Sequence, residues 1–186
     1  MTRGELKAAA KQQIKGNIGI LFVISLLTGL ITGTGIGAIL IPALSVSLCA
    51  IYLKLAGGEG VSVGDMFCRF STLGKGWWLT ILIAFFTSLW SCLFVIPGIV
   101  KSYAYSMAYY VLADNPELTA RQALKISKQI MKGHKFELFI LQLSFFWWHL
   151  LGGITFGLAY IYITPYMSAT VANFYNSIKG GVTVEG

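Results

Sequence analysis

GWWLTILIAFFTSLWSCLFVIPGIVKSYAYSMAYYVLA, residues 76–113, is an apolar stretch that is broken once, at Pro97-Gly98. A helix needs about 20 apolar residues to cross the hydrocarbon core of a bilayer, so this stretch is long enough for two crossings. Proline removes an amide donor and disfavours a helical conformation in the residue before it. The stretch therefore predicts two helices, at 76–96 and 99–113, joined by a tight turn.

Two further apolar stretches have a similar length and a similar central break. Residues 17–53 are interrupted by the glycine-rich segment 32–37, and residues 136–178 by the glycines between 152 and 157. Glycines at this density end helices and permit tight turns. The pattern predicts four more helices, at 17–32, 37–56, 135–151 and 157–178.

The distribution of basic residues predicts the orientation of these helices. The chain has 14 Lys and Arg against 7 Asp and Glu. All of the basic residues except Lys101 fall in four clusters between or beside the apolar stretches: Arg3–Lys15, Lys54–Lys75, Arg121–Lys135 and Lys179. Membrane proteins keep Lys and Arg in short cytoplasmic segments, so every cluster and both termini are predicted to be cytoplasmic. A single kinked helix over 76–113 would place the third cluster outside, and the charge rule disfavours it.

These observations predict an all-α, polytopic membrane protein with six transmembrane helices arranged as three hairpins in one membrane domain, 1–186. Hydrophobic residues make up 56% of the chain and charged residues 11%, whereas about a quarter of a soluble domain is charged. The net charge of +7 lies beside the predicted spans, where anionic lipid headgroups are the nearest partner. Membrane lipids are therefore the expected partners, and nucleic acid is not.

A recurring motif precedes each hairpin. A Ser or Thr is followed three residues later by Glu, Asp or Gln, as in a helix capping box, and then by Lys-Gly: Thr2 and Glu5 with Lys15-Gly16, Ser62 and Asp65 with Lys75-Gly76, and Thr119 and Gln122 with Lys132-Gly133. We expect a short amphipathic interfacial helix before each hairpin, with the Lys-Gly at the corner where the chain enters the membrane. The pattern suits three tandem units, 1–56, 57–113 and 114–178, although a coincidence of common capping boxes remains the alternative.

The basic faces of the first and third interfacial helices are candidate inner-leaflet lipid contacts. They carry Lys7, Lys11, Lys15, Arg121, Lys125, Lys128, Lys132 and Lys135. Apolar residues recur at spacings of three and four on the opposite faces, for example Leu6, Ala10 and Ile14. An amphipathic helix with a lysine-rich face lies in the headgroup region. The alternative interpretation is that these residues only anchor the topology.

Four other polar residues are candidates within or beyond the membrane. Lys101 and His149 are predicted near the outer face, where together they would hold a phosphate or carboxylate headgroup of the outer leaflet. Separately, Lys101 would extend to water and His149 would join the interfacial aromatic residues, and this reading is favoured. Gln142 and Asn173 are predicted as intramembrane polar residues that hydrogen-bond between helices, each bond contributing about 1 kcal/mol.

No motif for catalysis or metal binding is recognisable. Cys49, Cys68 and Cys92 are widely spaced, which does not fit a disulfide framework or a zinc site. The acidic residues fall near predicted helix ends, whereas coupled transporters usually need an ionisable residue in the bilayer interior. We therefore expect no catalytic residue, no metal and no cofactor.

Several blocks resemble a known family: residues 96–99 (IPGI), 101–108 (KSYAYSMA), 112–116 (LADNP), 123–127 (ALKIS) and 131–135 (MKGHK). They are similar to the bacterial integral-membrane family called domain of unknown function 975, and the likeness extends over essentially the whole chain. A more distant likeness is to the membrane domain of some glycerophosphodiester phosphodiesterases, whose catalytic activity does not carry over. The resemblance implies a multi-pass protein of the bacterial plasma membrane and assigns no reaction.

The sequence leaves more than one function open. The first hypothesis is a membrane-embedded module that binds or translocates a lipid or another amphiphile, based on the basic inner face and the aromatic-rich helices. The second is a non-catalytic partner or regulatory subunit of another membrane complex. A membrane-embedded enzyme comes third, because no catalytic set can be named.

Overall fold

A computed structural model of the chain describes residues 3–33, 37–67, 73–93, 95–155 and 159–181. These residues form helices and the segments that connect them, and none of them is in a strand. The helices are α1 (Arg3–Lys15), α2 (Ile18–Gly33), α3 (Gly37–Ala56), α4 (Leu73–Leu93), α5 (Val95–Tyr105), α6 (Ala108–Asp114), α7 (Ala120–Ile130), α8 (Lys135–Leu143), α9 (Phe146–Ile154) and α10 (Tyr160–Ile178). Short 3₁₀ helices lie at Val63–Phe67 and Lys179–Gly181. The predicted all-α fold class is confirmed.

Two of the predicted helices are each divided into two shorter ones. A turn at Ser106-Met107 separates α5 from α6, and a turn at Ser144-Phe145 separates α8 from α9. Both serine hydroxyls donate to the carbonyl three residues earlier, at 2.8 Å for Ser106 and 2.5 Å for Ser144. A side chain that bonds to the backbone in this way competes with the regular helical hydrogen bonds. The apolar pattern did not reveal either division.

The turn in the second apolar stretch lies earlier than predicted. Helix α5 begins at Val95, so Pro97 lies in its first turn instead of ending the preceding helix. Proline is tolerated there because the amides of the first turn have no acceptor within the helix. The predicted glycine turns at 34–36 and 156–158 lie outside the described residues.

The helices pack around α3 and α10. Helix α3 contacts α6 and α10, α1 packs along α10, and α4 packs along α5 across their short connection. The core between them contains Ile51, Leu112 and Tyr175, each at most 2% exposed. Helix α7 leans against α4 and α6, and this contact positions the candidate site.

Two of the three predicted Lys-Gly corners are present. Helices α1 and α2 meet at 90°, with Gly16 in the turn between them. Gly133 lies between α7 and α8 with φ +94°, a left-handed conformation that glycine adopts without a steric penalty. Helices α1 and α7 therefore end close to the corners that the sequence predicts.

The prediction of a corner at Lys75-Gly76 was wrong. Both residues lie inside α4, and a Cβ atom on Gly76 would approach the carbonyl carbon and oxygen of Pro42 to 3.3 Å. Gly76 therefore permits a close crossing of α3 and α4. Where the second interfacial helix was predicted, the described residues form the 3₁₀ turn Val63–Phe67, and residues 68–72 lie outside the described part.

The capping boxes are formed to different degrees. Thr119 caps α7 fully: its hydroxyl accepts from the Gln122 amide, and the Gln122 side chain accepts from the Thr119 amide at 2.9 Å. At Ser62 the return bond is present, because Asp65 accepts from the Ser62 amide at 2.8 Å. Thr2 of the first box lies outside the described residues. The tandem-unit division stays a prediction.

One described helical segment, Lys135–Ile154, has the length and hydropathy of a membrane span. Of its most apolar 18 residues, 22% are buried inside the protein. A second span results only if α1 and residues 18–32 are counted together despite their 90° bend. Many large apolar side chains lie on the surface, among them Leu30 and Phe85, which are 62% and 61% exposed.

Candidate functional site

The apolar faces of the two amphipathic helices are covered by the protein itself. In α1, Leu6, Ala10 and Ile14 are at most 2% exposed, because this face packs against α10. In α7, Ala123 and Ser127 are fully buried. Covering these faces turns the lysine faces outward, so the two helices contribute a basic surface.

Six of the eight predicted inner-leaflet contacts lie on α1 and α7, whereas Lys132 lies in the turn after α7 and Lys135 begins α8. Lys7 and Lys135 are half-buried, and the other six are exposed: Lys11, Lys15, Arg121, Lys125, Lys128 and Lys132. Lys7 differs from the others, since its ammonium lies 4.4 Å from the centre of the Phe145 ring. Burial lowers the pKa of Lys7 from its usual value, because desolvation disfavours the charged form.

A cavity of ≈540 Å³ lies between the start of α4 and the start of α7. We call it the α4–α7 groove. Its described lining combines two cationic residues with apolar ones and contains no acidic residue: Gly74, Lys75, Trp78, Leu82, Thr119, Ala120 and Arg121. The sequence analysis included Arg121 among the candidates but missed Lys75 and Trp78.

The polar end of the α4–α7 groove carries two cationic side chains, Lys75 and Arg121. The Lys75 ammonium donates to the carbonyls of Pro116 at 2.7 Å and Glu117 at 3.3 Å, which fixes it against the loop before α7. These carbonyls are neutral, so the positive charge remains, and the third N–H can donate elsewhere. Arg121 lies in the first turn of α7, where backbone amides without helical acceptors favour an anion.

The wall of the α4–α7 groove that α4 forms is apolar beside and beyond Lys75. Gly74, Trp78 and Leu82 follow one another at four-residue spacing, so they share one face of α4. Trp78 is 63% exposed and offers a large apolar surface to the groove. Lys75 and Leu82 are separated by about 10 Å of helix rise. The groove therefore has a cationic end and an apolar end at the spacing of a headgroup and the first part of an acyl chain.

The structure does not bring Lys101 and His149 together. Lys101 experiences the positive charges of Lys128 and Lys135, whereas His149 Nδ1 lies 3.2 Å from the hydroxyl of Tyr160. Lys135 and His149 are near opposite ends of one helical segment, about 20 Å apart along its axis. Lys101 therefore lies toward the basic surface that includes Lys128 and Lys135, whereas the sequence analysis placed it near the opposite face, beside His149.

The two predicted intramembrane amides both bind across helices, with different partners. Gln142 Oε1 accepts from the Tyr103 hydroxyl at 2.8 Å and is exposed. Asn173 is 5% exposed and forms a reciprocal amide pair with Gln13 of α1, at 2.9 and 3.3 Å. Gln13 also donates to the Ala56 carbonyl at 3.3 Å. The Gln13–Asn173 pair therefore holds α1 against α10, a role that the sequence did not reveal.

In the described part of the chain, no three His, Cys, Asp or Glu side chains come close enough to hold a metal ion. Asp114 accepts from Lys179 at 3.1 Å and from the Tyr175 hydroxyl at 3.2 Å. Asp65 accepts from Lys54 at 2.5 Å. These carboxylates serve as structural partners.

Comparison with protein families adds one finding. Residues 93–181, which hold α5 to α10, match the model of a family described as protein of unknown function (DUF975). The matched segment of the chain is thus similar to DUF975. The recognition of this family from the sequence is confirmed, and its extension over residues 1–92 stays a prediction, as does the likeness to the phosphodiesterase membrane domain. No curated protein and no solved structure matches the chain.

The DUF975 match divides the α4–α7 groove. Thr119 and Arg121 lie inside the matched segment, whereas Lys75 and Trp78 lie before it. The family description assigns no activity, so the proposal for function depends on the geometry of the groove and of the basic surface.

Proposed function

We propose that this protein is a multi-pass protein of the bacterial plasma membrane that binds an anionic amphiphile at its cytoplasmic side. The main observation that supports this proposal is the α4–α7 groove. In it, two cationic residues and the first turn of α7 lie next to the exposed side chain of Trp78. The proposed role is to bind the amphiphile. A more specific hypothesis is that the protein also translocates it, and no catalysis is proposed.

Membrane insertion is supported by helix length and by the exposed apolar surface. Helices α3, α4 and α10 have 20, 21 and 19 residues, and at 1.5 Å per residue each is about 30 Å long, the thickness of the hydrocarbon core. Burial of surface residues such as Leu30 and Phe85 in lipid removes an otherwise unfavourable apolar exterior. We propose six spans: α2, α3, α4, α5 with α6, α8 with α9, and α10.

The proposed orientation places both termini and the basic faces of α1 and α7 in the cytoplasm, where anionic lipids attract them. Cysteine labelling of intact cells tests it, with Lys128→Cys as the reporter in a variant whose three native cysteines are replaced. A membrane-impermeant maleimide should label Lys128→Cys only after permeabilisation. Labelling from outside would contradict the orientation and the assignment of the groove to the inner leaflet.

An anionic headgroup fits the polar end of the groove because Lys75 and Arg121 have no acidic neighbour in the described lining. An attraction of about 1 kcal/mol per basic residue near a membrane surface makes the two together worth about 2 kcal/mol, or roughly a 30-fold preference over a zwitterionic headgroup. The acyl chain would then lie against Trp78.

Tryptophan quenching tests this arrangement. The protein is reconstituted in phosphatidylcholine nanodiscs containing a small fraction of phosphatidylglycerol with brominated chains. Trp78 is assigned by difference from Trp78→Phe. Quenching of Trp78 should exceed that with brominated phosphatidylcholine, and the double variant Lys75→Gln, Arg121→Gln should abolish the excess.

The matched control is the double variant Lys125→Gln, Lys128→Gln, which removes the same charge from α7 outside the groove. If this control loses the excess quenching equally, the basic surface attracts anionic lipid without a defined site, and the groove proposal is wrong. Native mass spectra of the same samples count retained lipids. They would also show a retained protein, as the alternative of a partner or regulatory subunit predicts.

A further inference from the structure

A second cavity, of ≈330 Å³, lies between α2, α3 and α10 and is bordered by one residue of α6. We call it the hydroxyl pocket. Its described lining is Ser25, Thr28, Ser45, Leu48, Cys49, Tyr52, Tyr110, Thr164 and Ser168. All but Leu48 and Cys49 carry a hydroxyl group, and none is charged. The pocket differs from the α4–α7 groove in having no charged residue, and its hydroxyl-bearing residues lie within a mostly apolar lining.

The hydroxyl groups converge because each helix contributes one face. Ser25 and Thr28 are three residues apart on α2, Ser45 and Tyr52 are two helical turns apart on α3, and Thr164 and Ser168 are four apart on α10. Spacings of three, four and seven place side chains on the same side of a helix. The pocket is therefore encoded in three separate segments, and only their packing brings the hydroxyl groups together.

Hydrogen bonding within the lining determines what the pocket offers to a ligand. The Thr28 hydroxyl donates to the Ile24 carbonyl at 2.7 Å, and the Ser45 hydroxyl donates to the Ile41 carbonyl at 2.8 Å. Each of these oxygens has used its proton and keeps lone pairs that accept. Tyr52 of α3 and Ser168 of α10 line the pocket on the α3–α10 side.

From this lining we infer that the hydroxyl pocket binds a neutral polyol group, either the hydroxyl-bearing headgroup of an uncharged lipid or a soluble polyol. The fixed acceptors at Thr28 and Ser45 match ligand O–H donors. A charged headgroup would lose its hydration with no counter-charge among the lining residues, which is costly. Liquid water occupies about 30 Å³ per molecule, so the cavity has room for a small polyol in place of roughly ten waters. This inference is independent of the α4–α7 groove.

Retention of a matched pair of lipids tests the inference. The protein is placed in phosphatidylcholine nanodiscs with a few mole per cent of a monoacylglycerol, or of the fatty-acid methyl ester with the same chain and no hydroxyl. Native mass spectrometry then counts bound lipid. Alkyl glycoside detergents are avoided throughout, since their sugar headgroups would compete for the same pocket. One monoacylglycerol per chain should be retained, and the methyl ester much less.

Substitutions in the pocket identify the site. Thr28→Val and Ser45→Ala each remove one acceptor, and each should weaken retention of the monoacylglycerol roughly three- to tenfold, the usual effect of one hydrogen bond. The matched controls are Thr32→Val and Ser177→Ala. Their hydroxyls also donate to the backbone of their own helix, at 2.9 and 2.7 Å, but lie outside the pocket. The thermal midpoints of each pair should agree, which separates lost binding from lost folding.

The outcomes are distinct. Competition by free glycerol would assign the pocket to a soluble polyol, and retention of monoacylglycerol without such competition would assign it to a lipid headgroup. Either result supports the inference. Equal retention of the methyl ester, or equal weakening by the pocket variants and their controls, would overturn it. The groove variant Lys75→Gln, Arg121→Gln should leave monoacylglycerol retention unchanged, so the two proposals fail or succeed separately.

Discussion

Breaking the Gln13–Asn173 amide pair should release α1 from α10. Asn173→Ala removes two hydrogen bonds at a site that is 5% exposed. A hydrogen bond contributes about 0.5–1.5 kcal/mol net, and Gln13 can still donate to the Ala56 carbonyl. We therefore expect docking of α1 to weaken by about 1–2 kcal/mol, which corresponds to a roughly 5- to 30-fold higher population of the open state.

Cysteine accessibility measures this opening directly. Ala10 is fully buried on the face of α1 that packs against α10, so an Ala10→Cys reporter reacts with a thiol reagent only when α1 detaches. The reporter is placed in a variant in which Cys49, Cys68 and Cys92 are replaced by Ala. When opening and closing are fast relative to labelling, the labelling rate follows the open population, and Asn173→Ala should raise it by the factor given above.

A double-mutant cycle provides the control. Gln13→Ala should raise the labelling rate of the Ala10→Cys reporter, and adding Asn173→Ala should raise it little further, because the same pair is already lost. Coupled residues of this kind differ from additivity by 0.5 kcal/mol or more. An unchanged rate in Asn173→Ala, or additive effects in the double variant, would refute the assignment of the pair as the bond that holds α1 in place.

Three further predictions concern stability. Gly76→Ala should lower the thermal midpoint, at a cost of about 1–3 kcal/mol, because its Cβ would approach the α3 backbone to 3.3 Å; Gly74→Ala, with nothing within 4 Å, should not lower it. The hydrogen-bonded ion pair with Lys54 holds the pKa of Asp65 below its usual 3.8. The stabilisation of the fold by this ion pair is therefore present above pH 4, and it is lost when acidification passes through the pKa of Asp65 in the folded protein. Chemical denaturation should show Asp65→Asn about 1 kcal/mol less stable than wild type at pH 7, converging with it in acid. Thr119→Ala should cost about 1 kcal/mol and speed amide exchange in the first turn of α7, whereas Thr119→Ser should not.

The sequence by itself determined where the helices lie. Apolar stretches of about 40 residues, their glycine and proline breaks and the clustered lysines are local properties, and they predicted α2, α3 and α10 closely. The capping box at Thr119 and the left-handed glycine at Gly133 are local as well, because each depends on side chains or backbone within one turn. The serine-containing breaks inside two helices escaped prediction, since a serine is compatible with either a continuous or a divided helix.

Tertiary structure decided what covers each apolar face and which distant residues meet. Hydropathy cannot distinguish a face that packs on protein from one that faces lipid, because both remove apolar surface from water. The sequence predicted α1 as an interfacial helix but did not reveal that its apolar face packs against α10, to which it is joined by a pair of amides 160 residues apart. Gly76 was predicted at a corner before a hairpin, whereas it lies inside α4 where this helix crosses α3. Lys75 joins Arg121 in one groove only because α7 folds back on α4.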